Sequence, residues 1–517
     1  MDSNKMPRGI PFIIANEFAE RFCYYGINAI LAIYMTTTLH FGQAKATSWQ
    51  SIFKAGAYFF PLFGAVVSDV FWGKYRTIIT FSVVYVLGCA ILALGPATPL
   101  NLALGLGFMA FGTGGVKPCV STNVGDQFTS RNKHLIERAF SYFYLSINLG
   151  SSFSIYKCPE WLETYGPKVA FGVPAAMMAF ATLVFYLGRR YFAVVPPAGK
   201  QWLKDIVSPA GLKLIGSLLI VYLFVAMFWS LWDQSNGQTW TLQATSDLMD
   251  KRIGFGLVLL PAQIQVVNGL LILIMVPIFT FGIYPLCSRF VKVTPLRKIS
   301  VGLFLIAASF LIVGWIERRI QSGVSVSVWW QILAYVVLTA SEVLVSITAL
   351  EFSYKQAPLR MKSFIMALFL LSTSVGNLMT AAVNNFMVRE LHGATVTSGE
   401  QTWVALPKGV TMVTGQKIDF NDRTGITVHT ADGKQSPLAG TFLVAEMSGE
   451  RVRLMDNAHR QSVVSSGSWN QAGGGVSTYA LVGPQYFNFF AYWMGAFAVV
   501  FIGVAKLYRE QDHVRAD

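Results

Sequence analysis

The stretch Glu17-Phe18-Ala19-Glu20-Arg21-Phe22-Cys23-Tyr24 sets two carboxylates and a guanidinium inside an otherwise apolar run. On a helix, the three-and-four spacing turns Glu17, Glu20, Arg21 and Tyr24 to one side. Ionised groups are costly against lipid, so this side has to face a wet cavity or a partner. A carboxylate there can exchange a proton, because its proton affinity depends on burial and on the nearest cation. Moving between two such environments couples proton movement to a change of shape. The plain alternative is a static Glu-Arg pair that fixes helix packing.

Lys117 poses a similar problem in Gly112-Thr113-Gly114-Gly115-Val116-Lys117-Pro118. The glycines allow close helix approach, and the lysine needs a carboxylate such as Glu17 or Glu20, or a bound anion. A lysine snorkelling to an interface is the bland alternative. Two acids face it from the second half of the chain: Asp233, near a span end, and Glu342, well inside one. Asn148 and Asn268 could add amide contacts, and Tyr24, Tyr25, Tyr58 and Trp229 could form apolar walls with polar handles. Cations on one side and acids on the other suit a zwitterion, its carboxylate towards Arg21 and Lys117 and its ammonium towards Glu342. No CxxC pair, His-Cys cluster or nucleophile-base arrangement points to a metal, a cofactor or an enzyme.

The elements that must position these groups are membrane spans. The chain has 517 residues, 54% hydrophobic and 13% charged, about half the charged share of a soluble domain. Apolar runs recur at about 12-38, 48-70, 77-96, 99-121, 138-157, 169-188, 212-233, 262-286, 298-316, 329-350, 363-387 and 485-507. Each can cross a hydrocarbon core as a helix. With the N-terminus inside, internal segments hold 22 Lys and Arg against 7 in the short outer loops. That bias places both termini in the cytoplasm. The net charge of +14 is then mostly a topology signal, and nucleic acid is not needed to explain it. No cleavable signal peptide is expected, since the first span already carries Glu17, Glu20 and Arg21. The long connection 388-484 falls outside the cytoplasm; it has thirteen Gly and eight basic residues matched by eight acids. Runs such as Ile426-Thr427-Val428-His429 and Thr441-Phe442-Leu443-Val444, with a turn at Asp432-Gly433, read as a β-rich excursion. It has no Cys, so no disulfide is expected there, and Gly473-Gly474-Gly475 reads as a flexible join.

Several of these stretches together resemble the proton-dependent oligopeptide transporter family, within the major facilitator fold. Glu17-x-x-Glu20-Arg21-Phe22-x-Tyr24-Tyr25-Gly26 is similar to its first-helix signature, and Asp69-Val70-Phe71-Trp72-Gly73-Lys74-Tyr75-Arg76-Thr77 to its loop between helices two and three. Gly114-Gly115-x-Lys117-Pro118 and Phe143-Tyr144-x-x-Ile147-Asn148-x-Gly150-Ser151 resemble the signatures of helices four and five. The likeness continues through Phe228-Trp229-x-x-x-Asp233-Gln234, Asn268, Ser341-Glu342 and Tyr354-x-x-Ala357-Pro358-x-x-Met361-Lys362.

The resemblance implies an all-α integral membrane protein of twelve helices in two six-helix halves. The first bundle would be 1-190, a cytoplasmic linker 191-211, helices seven to eleven 212-387, the extracytoplasmic insertion 388-484, and helix twelve with its tail 485-517. It implies proton-coupled inward symport of di- and tripeptides by alternating access in the cytoplasmic (inner) membrane. Protons, peptides and lipid would be its partners. Glu17 and Glu20 would be the proton-coupling acids, with Arg21 and Lys117 as partners. Glu342 would meet the peptide amino terminus, helped by Asn148 and Asn268. Tyr24, Tyr25, Tyr58, Trp229 and Asp233 would be pocket or gating positions. The chain also departs from the pattern. Many relatives have a basic residue where Asn28 stands, which weakens the usual hold on the peptide carboxylate; Lys54 could replace that charge. Ser51 stands near the helix-two histidine of animal relatives. The connection 189-211 is too short for the two extra helices of many bacterial relatives. A carrier of a non-peptide solute therefore stays open. So does a receptor that works through 388-484, for which a protein partner is undetermined.

Overall fold

The computed structural model describes residues 5–129, 132, 135–193, 196–197, 206–254, 256–356, 362–429, 435–481 and 483–508. The expected Asp432-Gly433 turn, the Ala357-Pro358-x-x-Met361 part of the signature, much of the 191-211 linker and the tail beyond 508 lie outside the described residues.

The apolar runs form long helices. The first set is α1 (Ile10–Thr37), α2 (Gln43–Val66), α3 (Lys74–Leu94), α4 (Pro99–Asp126), α5 (Ile136–Tyr165) and α6 (Pro167–Leu187). The second is α7 (Pro209–Ser235), α8 (Val266–Pro277), α9 (Pro295–Gln321), α10 (Trp329–Glu342), α11 (Lys362–Phe386) and α12 (Pro484–Leu507). α8 continues through a π turn, Ile278–Ile283, into Tyr284–Ser288, and α10 through Val343–Ile347 into Thr348–Gln356. Among the described residues, ten stretches are long and apolar enough to cross a membrane. α1 and α5 are not among them; α1 carries Glu17, Glu20 and Arg21, and the middle of α5 is made less apolar by Ser146, Asn148, Ser151, Ser152 and Ser154. The chain is a multi-pass membrane protein. Its outer faces carry exposed apolar side chains such as Leu273, Ile274, Phe281 and Leu286 on the α8 stretch, as contact with lipid requires.

The first six helices pack chiefly on one another: α1 on α5 and α6, α3 on α4 and α6, α2 on α4. In the second set α9 packs on α10 and α12, and α7 on α11. The main bridge between the sets is α2 against α11. The α2–α4 approach depends on glycine. A Cβ at Gly64 would lie 2.2 Å from the Gly114 carbonyl oxygen, and one at Gly114 would lie 2.3 Å from Phe60 Cβ. Small residues at such a crossing bring backbones together, and here they set α4, with Lys117, against Tyr58.

The described residues of 388–481 contain ten strands: β1 (Val388–Glu390), β2 (Thr395–Thr397), β3 (Trp403–Ala405), β4 (Lys417–Phe420), β5 (Ile426–His429), β6 (Gln435–Pro437), β7 (Gly440–Ser448), β8 (Arg451–Asp456), β9 (Val464–Gly467) and β10 (Val476–Tyr479). Seven form one sheet in the order β1-β10-β4-β7-β8-β3-β2, and three form another, β6-β5-β9. The alternating apolar side chains of Val404, Ile418, Val444, Val452 and Leu454 bury a core of their own. Gly473–Gly475 is tied by hydrogen bonds to Asn421 and Asn470, so it is an ordered turn and not a slack join.

This unit docks on both helical sets. Thr441 Oγ1 and the Tyr479 hydroxyl accept from the N–H groups of Gln43 and Ala44, at 3.0 and 3.5 Å, and so cap the open first turn of α2. Both hydroxyls in turn donate to the buried carboxylate of Asp419. A side chain at Gly42 would collide with that carboxylate. On the second set, Lys417 meets Glu317 of α9 at 3.3 Å, Arg460 donates to the Ile320 carbonyl, and His459 meets Asp247 at 2.6 Å. An open cleft remains at this junction, bordered by Gln43, Glu317, Asn384, Lys417, Tyr479 and Tyr486. It is lined by none of Glu17, Glu20, Arg21, Lys117 and Glu342.

Candidate functional site

On α1, the expected clustering is present. Arg21 Nε donates to Glu17 Oε1 at 2.7 Å and lies 2.8 Å from Glu20 Oε2. The contact with Glu20 is ionic without hydrogen-bond geometry, and among the described residues neither Glu20 oxygen has a hydrogen-bond partner. All three side chains are buried. Leaving a buried carboxylate without a donor is costly, so Glu20 is the strained member of this group.

Lys117 does not hydrogen-bond Glu17 or Glu20. Its Nζ has no hydrogen-bond partner among the described residues. It sits 3.8 Å from the Tyr58 ring centroid and 4.6 Å from that of Tyr24. The ring faces stabilise the cation, while Arg21, Glu20, Asp233 and Glu17 act on it through space. Two acids and two cations thus form a nearly neutral group, held together by proximity more than by closed hydrogen bonds.

Glu342 belongs to a second polar group, on α10 of the other helical set. Its Oε2 accepts from Asn268 Nδ2 at 2.8 Å and from Trp232 Nε1 at 2.9 Å. Asn268 also donates to Thr339 Oγ1 at 3.0 Å. Glu342 is the last residue before the π turn of α10, a distortion frequent at functional sites. Tyr25 is within electrostatic reach of both groups, of Arg21 and Glu20 and of Glu342 and Asp233. Tyr24 meets Tyr25 edge-on at 5.4 Å, and Trp229 meets Trp232 likewise at 5.4 Å. Asn148 is placed differently from the other amide: its Nδ2 donates to the Tyr144 carbonyl of its own helix.

A third group joins the two helical sets. Lys54 Nζ, on α2, donates to Asp233 Oδ1 at 3.0 Å, to the Asp233 carbonyl at 3.0 Å and to the Asn236 carbonyl at 2.8 Å. Asp233 Oδ2 accepts from Asn377 of α11 at 2.6 Å. Asn28 Nδ2 donates to the Asn236 carbonyl at 3.2 Å, and Gln50 donates to the Asn28 side-chain oxygen at 3.0 Å. Gly237 turns the chain here with φ +78, and a Cβ on it would lie 2.8 Å from the Asn28 carbonyl oxygen. Lys54 therefore has all three donors engaged by α7 and the turn after it. The sequence leaves open whether Lys54 stands in for the charge missing at Asn28; in this arrangement its ammonium is paired with Asp233.

Trp232, Asn236, Asn377 and Gln50 were not singled out from the sequence. The only sequence signal for Trp232 is its position three residues after Trp229 and one before Asp233, inside an aromatic run.

The chain's likeness to known proteins follows the same elements. The protein-family model described as POT family (PTR2) matches residues 75–210 and 201–404. Solute carrier family 15 member 2 of Danio rerio is 38% identical over 352 residues, 59% of this chain and 48% of the relative. Peptide transporter family 1 of Drosophila melanogaster is 36% identical over 364 residues, 61% of this chain and 48% of the relative. The chain thus spans about half the length of the curated relatives it matches. Among solved structures, the POT family transporter PepTSo is 34% identical with a TM-score of 0.68, over 74% of this chain and 90% of that one. An auto inhibited POT family peptide transporter is 26% identical with a TM-score of 0.72, over 99% of both chains. The fold, the family match and the similar sequences agree, and the chain belongs to the POT family.

Proposed function

We propose that the protein carries di- and tripeptides inward together with protons, by alternating access between two six-helix halves of the major facilitator arrangement. The observation that carries this reading is an acidic group and a basic group that both act on Tyr25. Glu342, held by Asn268 and Trp232, offers a carboxylate to the peptide ammonium. Arg21 and Lys117, on α1 and α4, supply the positive charge for the peptide carboxylate. Glu20, with no donor on either oxygen among the described residues, is the carboxylate that takes the proton. Its protonation weakens the hold on Arg21 and frees that guanidinium for substrate. Lys54 and Asp233 act as a closure joining the halves on one side of the membrane.

The excess of basic residues in the connections assigned to the inside supports cytoplasmic termini, with 388–484 outside. The membrane potential, negative inside, then favours inward movement of net positive charge. The reading is of a carrier and not an enzyme, with lipid as its surroundings. Peptide-carrying relatives and a POT structure in complex with a thioalcohol conjugated peptide support the substrate class. One observation favours a second reading, a non-peptide solute on the same machinery: Asn28 offers no charge and is engaged by Gln50 and Asn236. Uptake of a labelled dipeptide into proteoliposomes, competed by a panel of dipeptides, tripeptides and non-peptide solutes, separates the two. Competition by varied di- and tripeptides is expected; competition by a non-peptide alone would overturn the peptide reading.

A further inference from the structure

Three indoles lie within twelve residues on and just after α7, at Trp229, Trp232 and Trp240. Among the described residues the ring N–H groups of Trp229 and Trp240 are buried without a hydrogen-bond partner. That of Trp232 is used, on the substrate-site acid, at 2.9 Å from Glu342 Oε2. An indole N–H can only donate, so it requires Oε2 to be an acceptor. Asn268 Nδ2 converges on the same oxygen at 2.8 Å. Both protein donors therefore occupy Oε2, and among the described residues none is directed to Oε1. The carboxylate is held by one edge with its other oxygen left for an incoming cation.

We propose that Trp232 is a positioning residue for recognition of the amino terminus: its indole N–H holds Glu342 so that Oε1 meets the substrate ammonium. The ring is itself fixed by its edge-to-face contact with Trp229. Trp232 also adjoins Asp233, the acid that pairs with Lys54 of α2. One turn of α7 thus carries both the support of the ammonium site and one side of the bridge between the helical sets, so a movement of α7 displaces the two together. Phenylalanine at this position would keep the ring and lose the donor; the requirement for a free amine should then relax. This proposal rests on the reading of Glu342 as the acid that meets the peptide amine.

The test is competition against labelled dipeptide uptake by an unlabelled dipeptide and by its N-acetylated counterpart, with the full-length carrier in proteoliposomes. The readout is the ratio of the two inhibition constants within each variant, so the amount of folded carrier cancels. Trp232→Phe and Trp232→Met both remove the donor, and either one that purifies carries the test. The expected result is a roughly ten-fold smaller preference for the free amine, about 1.4 kcal/mol, with the N-acetylated peptide unaffected. Trp232→His, which retains a ring N–H, should restore part of the preference. Equal weakening of both ligands would mean a packing role only, and an unchanged ratio would mean no role; either overturns the proposal. Glu342→Gln separates the layers. If it collapses the preference while the Trp232 variants do not, the Glu342 reading stands and the Trp232 proposal fails. If Glu342→Gln leaves the preference intact, both fail.

Discussion

Replacing Lys54 by Met should part the two helical sets at their joined end. Lys54 is 1% exposed and gives all three of its N–H donors to α7 and the turn after it. Its removal leaves Asp233, 3% exposed, with Asn377 as its remaining side-chain donor among the described residues. Breaking a buried ion pair by deleting one partner costs about 3–5 kcal/mol, because the other charge stays buried. At about 1.4 kcal/mol per factor of ten, the ratio of joined to separated ends falls roughly a hundred-fold to a few thousand-fold. Water reaching Asp233 once the ends part is what makes separation the relief. Spin labels at the exposed Lys45 and Arg252, with the exposed Cys287 replaced by Ser, report the gap between the ends by pulsed distance measurement. The expected result is a new population at longer distance in Lys54→Met, partly reversed by the exchange Lys54→Asp with Asp233→Lys. Identical distance distributions in parent and variant would refute the reasoning and reduce the pair to local packing.

Three further outcomes follow from the same structure. Glu20→Gln should abolish accumulation driven by a proton gradient and leave peptide counterflow measurable, since it removes the proton site and keeps the shape; gradient-driven accumulation at the parent level would count against Glu20. Gly64→Ala should lower thermal stability by about 1–3 kcal/mol, because its Cβ would meet the Gly114 carbonyl oxygen at 2.2 Å; unfolding of the purified protein in detergent measures this. Burial pushes the Asp419 carboxyl above its ordinary 3.8, with hydrogen bonds from Thr441 and Tyr479 and the charge of Lys417 pulling back. A raised native value means the folded unit binds the proton more tightly than the unfolded chain. Its stability therefore falls as pH rises from about 4 through the raised value and is flat above it. Asp419→Asn should remove that slope, read as hydrogen exchange of β4 and β7 against pH.

The helices were legible in the sequence because lipid demands long apolar runs with every backbone group satisfied internally. Their limits shifted where polar residues continue a helix: α5 runs on to Tyr165 past the apolar stretch expected to end near 157. The acids and cations within spans were also legible, since burying a charge in a membrane is rare enough to be informative. Their partners were not. Lys54 and Asp233 are 179 residues apart, and Trp232 and Glu342 are 110 apart. No local spacing relates such pairs, and an indole in an aromatic run gives no sign that its N–H reaches a carboxylate. Lys117 illustrates the same limit from the other side. A lone lysine suggests a carboxylate partner, yet the Gly64–Gly114 crossing delivers it to the faces of Tyr58 and Tyr24.

The central claim is that peptide and proton enter together. It is tested most directly by a pH-sensitive dye trapped inside proteoliposomes, with the potential clamped negative inside and no initial pH gradient. Addition of a dipeptide outside should acidify the lumen, and Glu20→Gln should abolish the acidification. Entry of labelled dipeptide at the parent rate with no change in lumenal pH would contradict the account.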